Sequence, residues 1–296
     1  MSGGAASDRV ALRFFLPPED LRPFITTIYM LEVSGCGDGW IEDRLHPEWA
    51  NLRLIPDMSI EAAIGDAPMA GVSAAVMTGP TSVSTHFRAR DGVSWGIGLL
   101  PMGWARFVDA PADAYADRPA DVMQDPAMAR LAPLLGSLDA GSRTPAARRD
   151  RLVDHLRRAL APPTPREPEI LRLELALVDT SIHTVSGLAE KAELSVRTLE
   201  RLSASVFGFP PQLLLRRQRF LRSLAQFMLD PSLKWIETLD GHYHDQAHFV
   251  RDFKRFMGMS PSEYARLPHP VLGAAAHARM AVAGEALQVL HRPDAP

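Results

Sequence analysis

The 296-residue sequence predicts a two-part α+β fold: an N-terminal β-sandwich or barrel with trailing helices, then an all-helical C-terminal half. Three observations carry this. Up to about Val108, short β-branched and aromatic runs are bounded by Gly, Pro and Asp. From Pro168 to Leu267, apolar residues recur at spacings of three and four, the helical period. Between them, Ala161-Pro162-Pro163-Thr164-Pro165 cannot continue a helix and reads as a proline-stiffened linker. The helical half divides into two helix-turn-helix pairs joined by one long helix. The expected boundaries are 1–160, a linker at 161–167, a helical domain at 168–267 and a helical tail at 268–296.

The strands follow from composition. Phe24–Val33 is rich in Phe, Ile, Thr and Tyr, and Asn51–Ile55 alternates polar and apolar residues. Ile60–Ile64, Val72–Met77, Ser82–Arg88 and Val93–Leu99 complete the series. Gly and Pro interrupt nearly every window there, so a helical reading fails. Trp104–Val108 begins a short helix. Ala127–Leu135 and Ala146–Leu160 read as helices, the second with Leu152, Val153, Leu156 and Leu160 on one face. In the tail, Gly273–Leu290 can form an alanine-rich helix that docks on the N-terminal half or on a partner subunit, or stays loosely packed.

Composition narrows the class. An apolar content of 46% suits a globular core. The single cysteine, Cys36, cannot form an internal disulfide, which fits a reducing cytoplasm. No apolar run reaches the roughly 18 residues of a membrane span, so no membrane partner is expected. Met1–Asp8 lack the apolar core of a secretory signal. Net charge is −3 overall, but Val185–Leu267 holds twelve Lys+Arg against nine Asp+Glu, a net of +3. The remainder therefore carries −6. A basic module joined to an acidic one fits a nucleic-acid-binding half and a separate partner half.

In the first helix pair, Thr184 can cap Val185–Ala192, whose inner face carries Val185, Leu188, Ala189 and Ala192. Glu193-Leu194 makes the turn. Ser195 can cap Val196–Phe207, with Leu199, Leu202 and Val206 inward. Arg197, Thr198, Glu200 and Arg201 then face outward near the N-terminal end, where a recognition helix meets base edges. Arginine matches guanine O6 and N7 with two N–H donors. Glu200 either accepts from cytosine N4 or, near phosphates, selects against wrong sequences. Pro210–Leu229 follows as an uninterrupted helix with an arginine-rich exposed side, Arg216, Arg217, Arg219 and Arg222; which of them reach phosphate is not decided by spacing. At 1.5 Å per residue it spans roughly 30 Å, close to one turn of B-DNA at about 34 Å.

The second pair starts near Leu233–Leu239 and continues from Asp245, a good N-cap. Phe249, Phe253 and Phe256 share one face; Gln246, Arg251, Lys254 and Arg255 occupy others. Gly258 is a helix stop, and Ser260-Pro261-Ser262-Glu263 combines an N-cap, a first-turn proline and a capping glutamate. Over Asp245–Tyr264, Gln246, His248-Phe249, Arg251, Phe253-Lys254, Gly258, Ser260-Pro261 and Tyr264 resemble the signature of AraC/XylS-type transcription regulators. That resemblance implies duplex DNA as partner, two readers in successive major grooves, and Gln246, His248, Arg251 and Lys254 as DNA-facing positions. It implies no enzyme and no cofactor. A small-molecule effector, RNA polymerase and a second copy of the chain are further candidate partners.

Leu21-Arg22-Pro23-Phe24, Ile55-Pro56-Asp57, Thr78-Gly79-Pro80, Gly96-Ile97-Gly98 and Pro101-Met102-Gly103-Trp104 fall in the order of one sensor-type subgroup, which implies a cupin-like barrel. Three departures stand out: His242 where a glycine is usual, Ser203 in place of a phenylalanine, and Phe209 in place of a capping serine. His242, His244 and His248 lack the convergent ligand set of a zinc site. Trp40, Trp49, Trp95 and Trp104 line an effector pocket or form barrel core, and Arg53, Glu61 and His86 could supply polar contacts. The competing reading is a small-molecule-binding or enzymatic β-barrel whose helical half serves protein contacts; a metal-dependent enzyme there would need several ligand histidines, and only His46 and His86 stand before residue 150.

Overall fold

The computed structural model describes residues 9–139, 144–241, 243 and 245–293. The expectations for Met1–Asp8, His242 and His244 lie outside the described residues.

Among the described residues ten strands form two antiparallel sheets. The first sheet orders β1 (Val10–Phe15), β2 (Ile25–Val33), β9 (Gly92–Leu99), β4 (Asn51–Leu54), β7 (Ala75–Thr78) and β10 (Pro119–Asp121). The second orders β3 (Ile41–Leu45), β8 (Thr85–Ala89), β5 (Ile60–Ile64) and β6 (Ala70–Gly71). Leu31, Val33 and Val76 of the first pack with Ile41, Phe87 and Ala89 of the second, so the sheets lie face to face. They do not close into a barrel, which corrects the barrel alternative in favour of the sandwich.

Helices α1 (Pro101–Phe107), α2 (Pro133–Asp139) and α3 (Pro145–Ala159) trail the sheets. Then come α4 (Glu167–Val178), α5 (Val185–Lys191), α6 (Val196–Leu202), α7 (Pro211–Leu229), α8 (Gln246–Met257), α9 (Pro261–Tyr264) and α10 (Leu272–Ala283). No helix among the described residues is long and apolar enough to cross a membrane.

The turn into α1 depends on a close approach. A Cβ on Gly103 would collide with the Phe24 carbonyl oxygen, a backbone atom that cannot swing aside. Gly103→Ala is therefore expected to cost about 1–3 kcal/mol through overpacking, read as a lower Tm at unchanged secondary structure. An unchanged Tm would show that α1 can shift at no cost.

The two halves share one core that runs from Leu21 to Val289. The linker is not a free spacer: Arg106 Nε donates to the Ala161 carbonyl at 2.6 Å, and its Nη1 pairs with Glu167 at 3.0 Å. Glu174 of α4 reaches the other way, accepting from Met102 N at 2.8 Å. Its second carboxyl oxygen has no hydrogen-bond partner among the described residues, and burial pushes its pKa up to about 8 from an ordinary 4.5. Between those values the folded chain keeps a proton that the unfolded chain has lost. Glu174's contribution is thus fully present below pH 4.5 and is lost as pH rises to about 8. Glu174→Gln keeps the acceptor for Met102 and should flatten that slope, compared as urea midpoints at pH 5 and pH 8. A variant that retains the wild-type slope removes Glu174 as its source.

Candidate functional site

In the first module, Thr184 Oγ1 accepts from Gly187 N at 3.1 Å and starts α5. Leu188, Ala189 and Ala192 are buried as expected. The turn runs through Glu193 at φ +56°, a left-handed position that lets Leu194 N reach the Ala189 carbonyl at 2.9 Å. Ser195 Oγ accepts from Thr198 N at 3.2 Å and starts α6. Leu199 and Leu202 turn inward, leaving Arg197, Glu200 and Arg201 exposed. Among the described residues none of these three forms an ion pair, so their charges are available to a partner. Thr198 differs: it is partly buried, and its hydroxyl sits 2.9 Å from Ser195 Oγ inside the cap. Val196, which the sequence reading gave no role, is 47% exposed on the same first turn.

Beyond Leu202 the helix widens into a π-turn over Ser203–Phe207 and stops at Gly208. Ser203 is fully buried, and its hydroxyl has no hydrogen-bond partner among the described residues. Phe207 packs edge-on to Trp49 at 5.7 Å.

The 19 residues of α7 extend about 28 Å. Pro210 precedes it as an N-cap without a side-chain bond, as the loss of a capping serine implies. Its arginines all have intramolecular roles. Arg216 and Arg219 both pair with Asp252, and Arg222 pairs with Asp240. Arg217 is fully buried against the N-terminal half, 4.0 Å from the Trp49 ring, and donates to the Thr81 carbonyl at 2.8 Å. The connecting helix is a braced strut.

In the second module a single 3-10 turn, Trp235–Thr238, replaces the expected helix at Leu233–Leu239. Asp245 Oδ1 accepts from His248 N at 2.6 Å and starts α8. Phe249, Phe253 and Phe256 are fully buried around Phe220, with ring centroids 6.5, 5.4 and 4.9 Å away. Gly258 ends the helix at φ +72°, and Ser260 with Glu263 forms the capping box of α9. Gln246, Arg251 and Lys254 are exposed. His248 turns inward: it is partly buried, its Nε2 lies 3.1 Å from Arg219, and its ring abuts Tyr243. Sequence reasoning missed Asp252. Buried between the phenylalanines, it collects Arg216, Arg219 and the Tyr243 hydroxyl at 3.1 Å. Its position three residues after Phe249 was the available signal.

The N-terminal half holds a cavity of about 610 Å³ between the sheets. Arg53 lines it, paired with Glu48. The other expected polar contacts do not: Glu61 binds Arg88 and His86 faces Glu42. Nor do the tryptophans. Trp49, Trp95 and Trp104 are core, and Trp40 stacks under Arg88 and Arg90. Small residues of the second sheet, among them Ala62, Ala63 and Gly71, leave the space that larger side chains would fill.

One loop of the N-terminal half touches both modules. Pro80 packs against Gly208 at the end of the first module's second helix. Thr81 receives Arg217 of the strut. Ser84 donates to the Phe256 carbonyl at 2.7 Å and the Met257 carbonyl at 3.2 Å, at the end of α8. Thr78 and Thr85, at either end of that loop, line the cavity.

Residues 188–267 match the family model described as a helix-turn-helix domain. A search of curated proteins found no match. An apo single-residue variant of ToxT from Vibrio cholerae strain SCE256 is 12% identical over 81% of this chain and 97% of that one, with a TM-score of 0.41. Unsaturated fatty acid-bound wild-type ToxT from the same strain is 11% identical over 79% and 97%, at 0.39. The AraC-like transcriptional activator CuxR is 14% identical over 76% and 89%, at 0.28. Scores this low decide nothing by themselves; the matched domain does, because it falls on both modules and the strut between them. The C-terminal region of this chain is an AraC-type helix-turn-helix domain, the DNA-binding part of a transcription regulator.

Proposed function

We propose that this protein reads two half-sites on one face of duplex DNA, and that a small molecule in the sensor cavity sets how well it does so. The observation that carries the DNA reading is a division among the charged residues. Arg197, Glu200, Arg201, Gln246, Arg251 and Lys254 stand exposed on the two reading helices, whereas every arginine of α7 is engaged inside the protein. Arg197 and Arg201 suit guanine, and Gln246 suits adenine N6 and N7. Val196 adds an apolar contact of the kind that recognises a thymine methyl. Thr198 and His248 act through the cap and the packing of their modules rather than by direct contact.

Control follows from the loop between Thr78 and Thr85. It borders the cavity and touches the C-terminal ends of both reading helices. A ligand that favours one position of this loop changes the relative aim of the two helices, and DNA affinity responds by the difference in its affinity for the two arrangements. The pinned linker makes this packed interface, not a swinging spacer, the route of coupling.

The test is selection of bound sites from random duplex DNA by the full-length chain. Two half-sites about one helical turn apart are expected. Affinity for the selected site should fall with salt at a log–log slope near −0.9 per phosphate neutralised. Absence of binding at low salt sinks the reading.

A further inference from the structure

The segment from Val271 to Gln288 lies beyond the helix-turn-helix domain, yet it forms one wall of the cavity. It is anchored at both ends. Asp43 of β3 accepts from Val271 N at 2.9 Å and Leu272 N at 2.8 Å, capping α10. Gln288 Nε2 donates to the carbonyls of Ala50 and Leu99 at 3.2 and 3.3 Å.

Between these anchors Arg279 reaches the cavity. It is 5% exposed, and its Nη1 donates to Thr27 Oγ1 at 2.6 Å. Its Nε and Nη2 have no hydrogen-bond partner among the described residues. Two carboxylates act on it from a distance, Glu48 and Glu285. Glu48 is already bound by Arg53 and Asn51, and Glu285 is partly exposed. A buried guanidinium with open donors is costly unless it meets an anion, and its planar fork matches a carboxylate. Much of the lining is apolar, including Leu12, Leu31, Ile60 and Phe87, with Glu48, Arg53, Asp117, Arg118 and Asp121 also lining the cavity. The cavity volume falls within the roughly 300–1,000 Å³ of small-molecule sites.

We propose that the cavity binds a monocarboxylate with an apolar body, its carboxylate on Arg279, so that the C-terminal tail is the ligand-reading wall. This rests on the ligand-controlled reading above. The open donors of Arg279 select a negative charge: a neutral amphipath leaves them unpaired, and a cationic one adds repulsion. The same tail touches the strut. Gln218 Nε2 donates to the Val289 carbonyl at 2.8 Å, and His277 Nε2 lies 3.1 Å from the Leu229 carbonyl. A carboxylate that tightens Arg279 therefore also acts on α7.

Calorimetry on the full-length chain without DNA tests this, with dodecanoate, dodecanol and dodecyltrimethylammonium as probes below their micelle concentrations. Dodecanoate should bind about tenfold to a hundredfold more tightly than dodecanol, the range for hydrogen bonds to a charged group, with the cation weakest. Arg279→Gln should abolish that preference while leaving dodecanol affinity within threefold. Equal affinity for dodecanoate and dodecanol in the unmodified protein, or no binding of either, overturns the proposal however the variant folds. If dodecanoate is preferred but leaves affinity for the selected DNA unchanged, the carboxylate site stands and ligand control falls.

Discussion

Phe253→Ala is expected to destabilise the protein by about 3–5 kcal/mol, the range for truncating a fully buried aromatic ring. Phe253 has no exposed surface and lies within 5.0–5.6 Å of the rings of Trp235, Phe220, Phe249 and Tyr264. These neighbours come from four different elements, so none can move in to fill the space without losing its own contacts. Aromatic pairs add to the loss beyond their buried area. The neighbouring Asp252 compounds it: the paired carboxylate depends on α8 keeping its place against α7. The measurement is the urea midpoint at unchanged m-value. A shift worth less than 1 kcal/mol would mean that the second module is not cooperatively joined to the rest.

The double variant Arg197→Ala, Arg201→Ala is expected to weaken binding to the selected site by about 2–6 kcal/mol, taking 1–3 for each bidentate base contact. That is roughly 30-fold to 10⁴-fold in Kd. Both side chains are exposed on the first turns of α6, and neither forms an ion pair among the described residues. Folding should therefore be untouched, and Tm is the control. The sequence dependence separates two roles. Loss confined to the selected site assigns the pair to base reading; equal loss on scrambled DNA, with a shallower salt slope, assigns them to phosphate. An effect under threefold on the selected site excludes α6 as a reader. Glu200 stands between them and, on removal, should raise affinity for scrambled DNA by relieving repulsion from phosphates.

The strands that the sequence left unassigned share a physical reason. β3, Ile41–Leu45, contains a glutamate, an aspartate and an arginine, poor strand formers by composition. Asp43 is buried there only because it caps α10, more than two hundred residues away in sequence. β10 is three residues with a leading proline, tolerable at the sheet edge where no partner needs its N–H. The arginines of α7 were ambiguous for a similar reason. Their spacing places them around one helix, but Asp252, which engages two of them, is 36 residues from Arg216.

What the sequence determined by itself is local. Thr184, Ser195, Asp245 and Ser260 cap the helices they precede, Gly258 stops α8, and the phenylalanine period selects its buried face. Each of these interactions closes within four residues, so the chain's own order contains both partners. The tertiary structure alone decided that the sheets stay open, that the tail walls the cavity, that Arg217 is buried while Arg197 and Arg201 are presented, and that Arg279 enters an apolar space. In each case burial is set by groups far apart along the chain, as with Arg279 and Thr27, 252 residues apart. A side chain's charge is legible from its letter; whether that charge is paired, buried or offered to a partner depends on what folds against it.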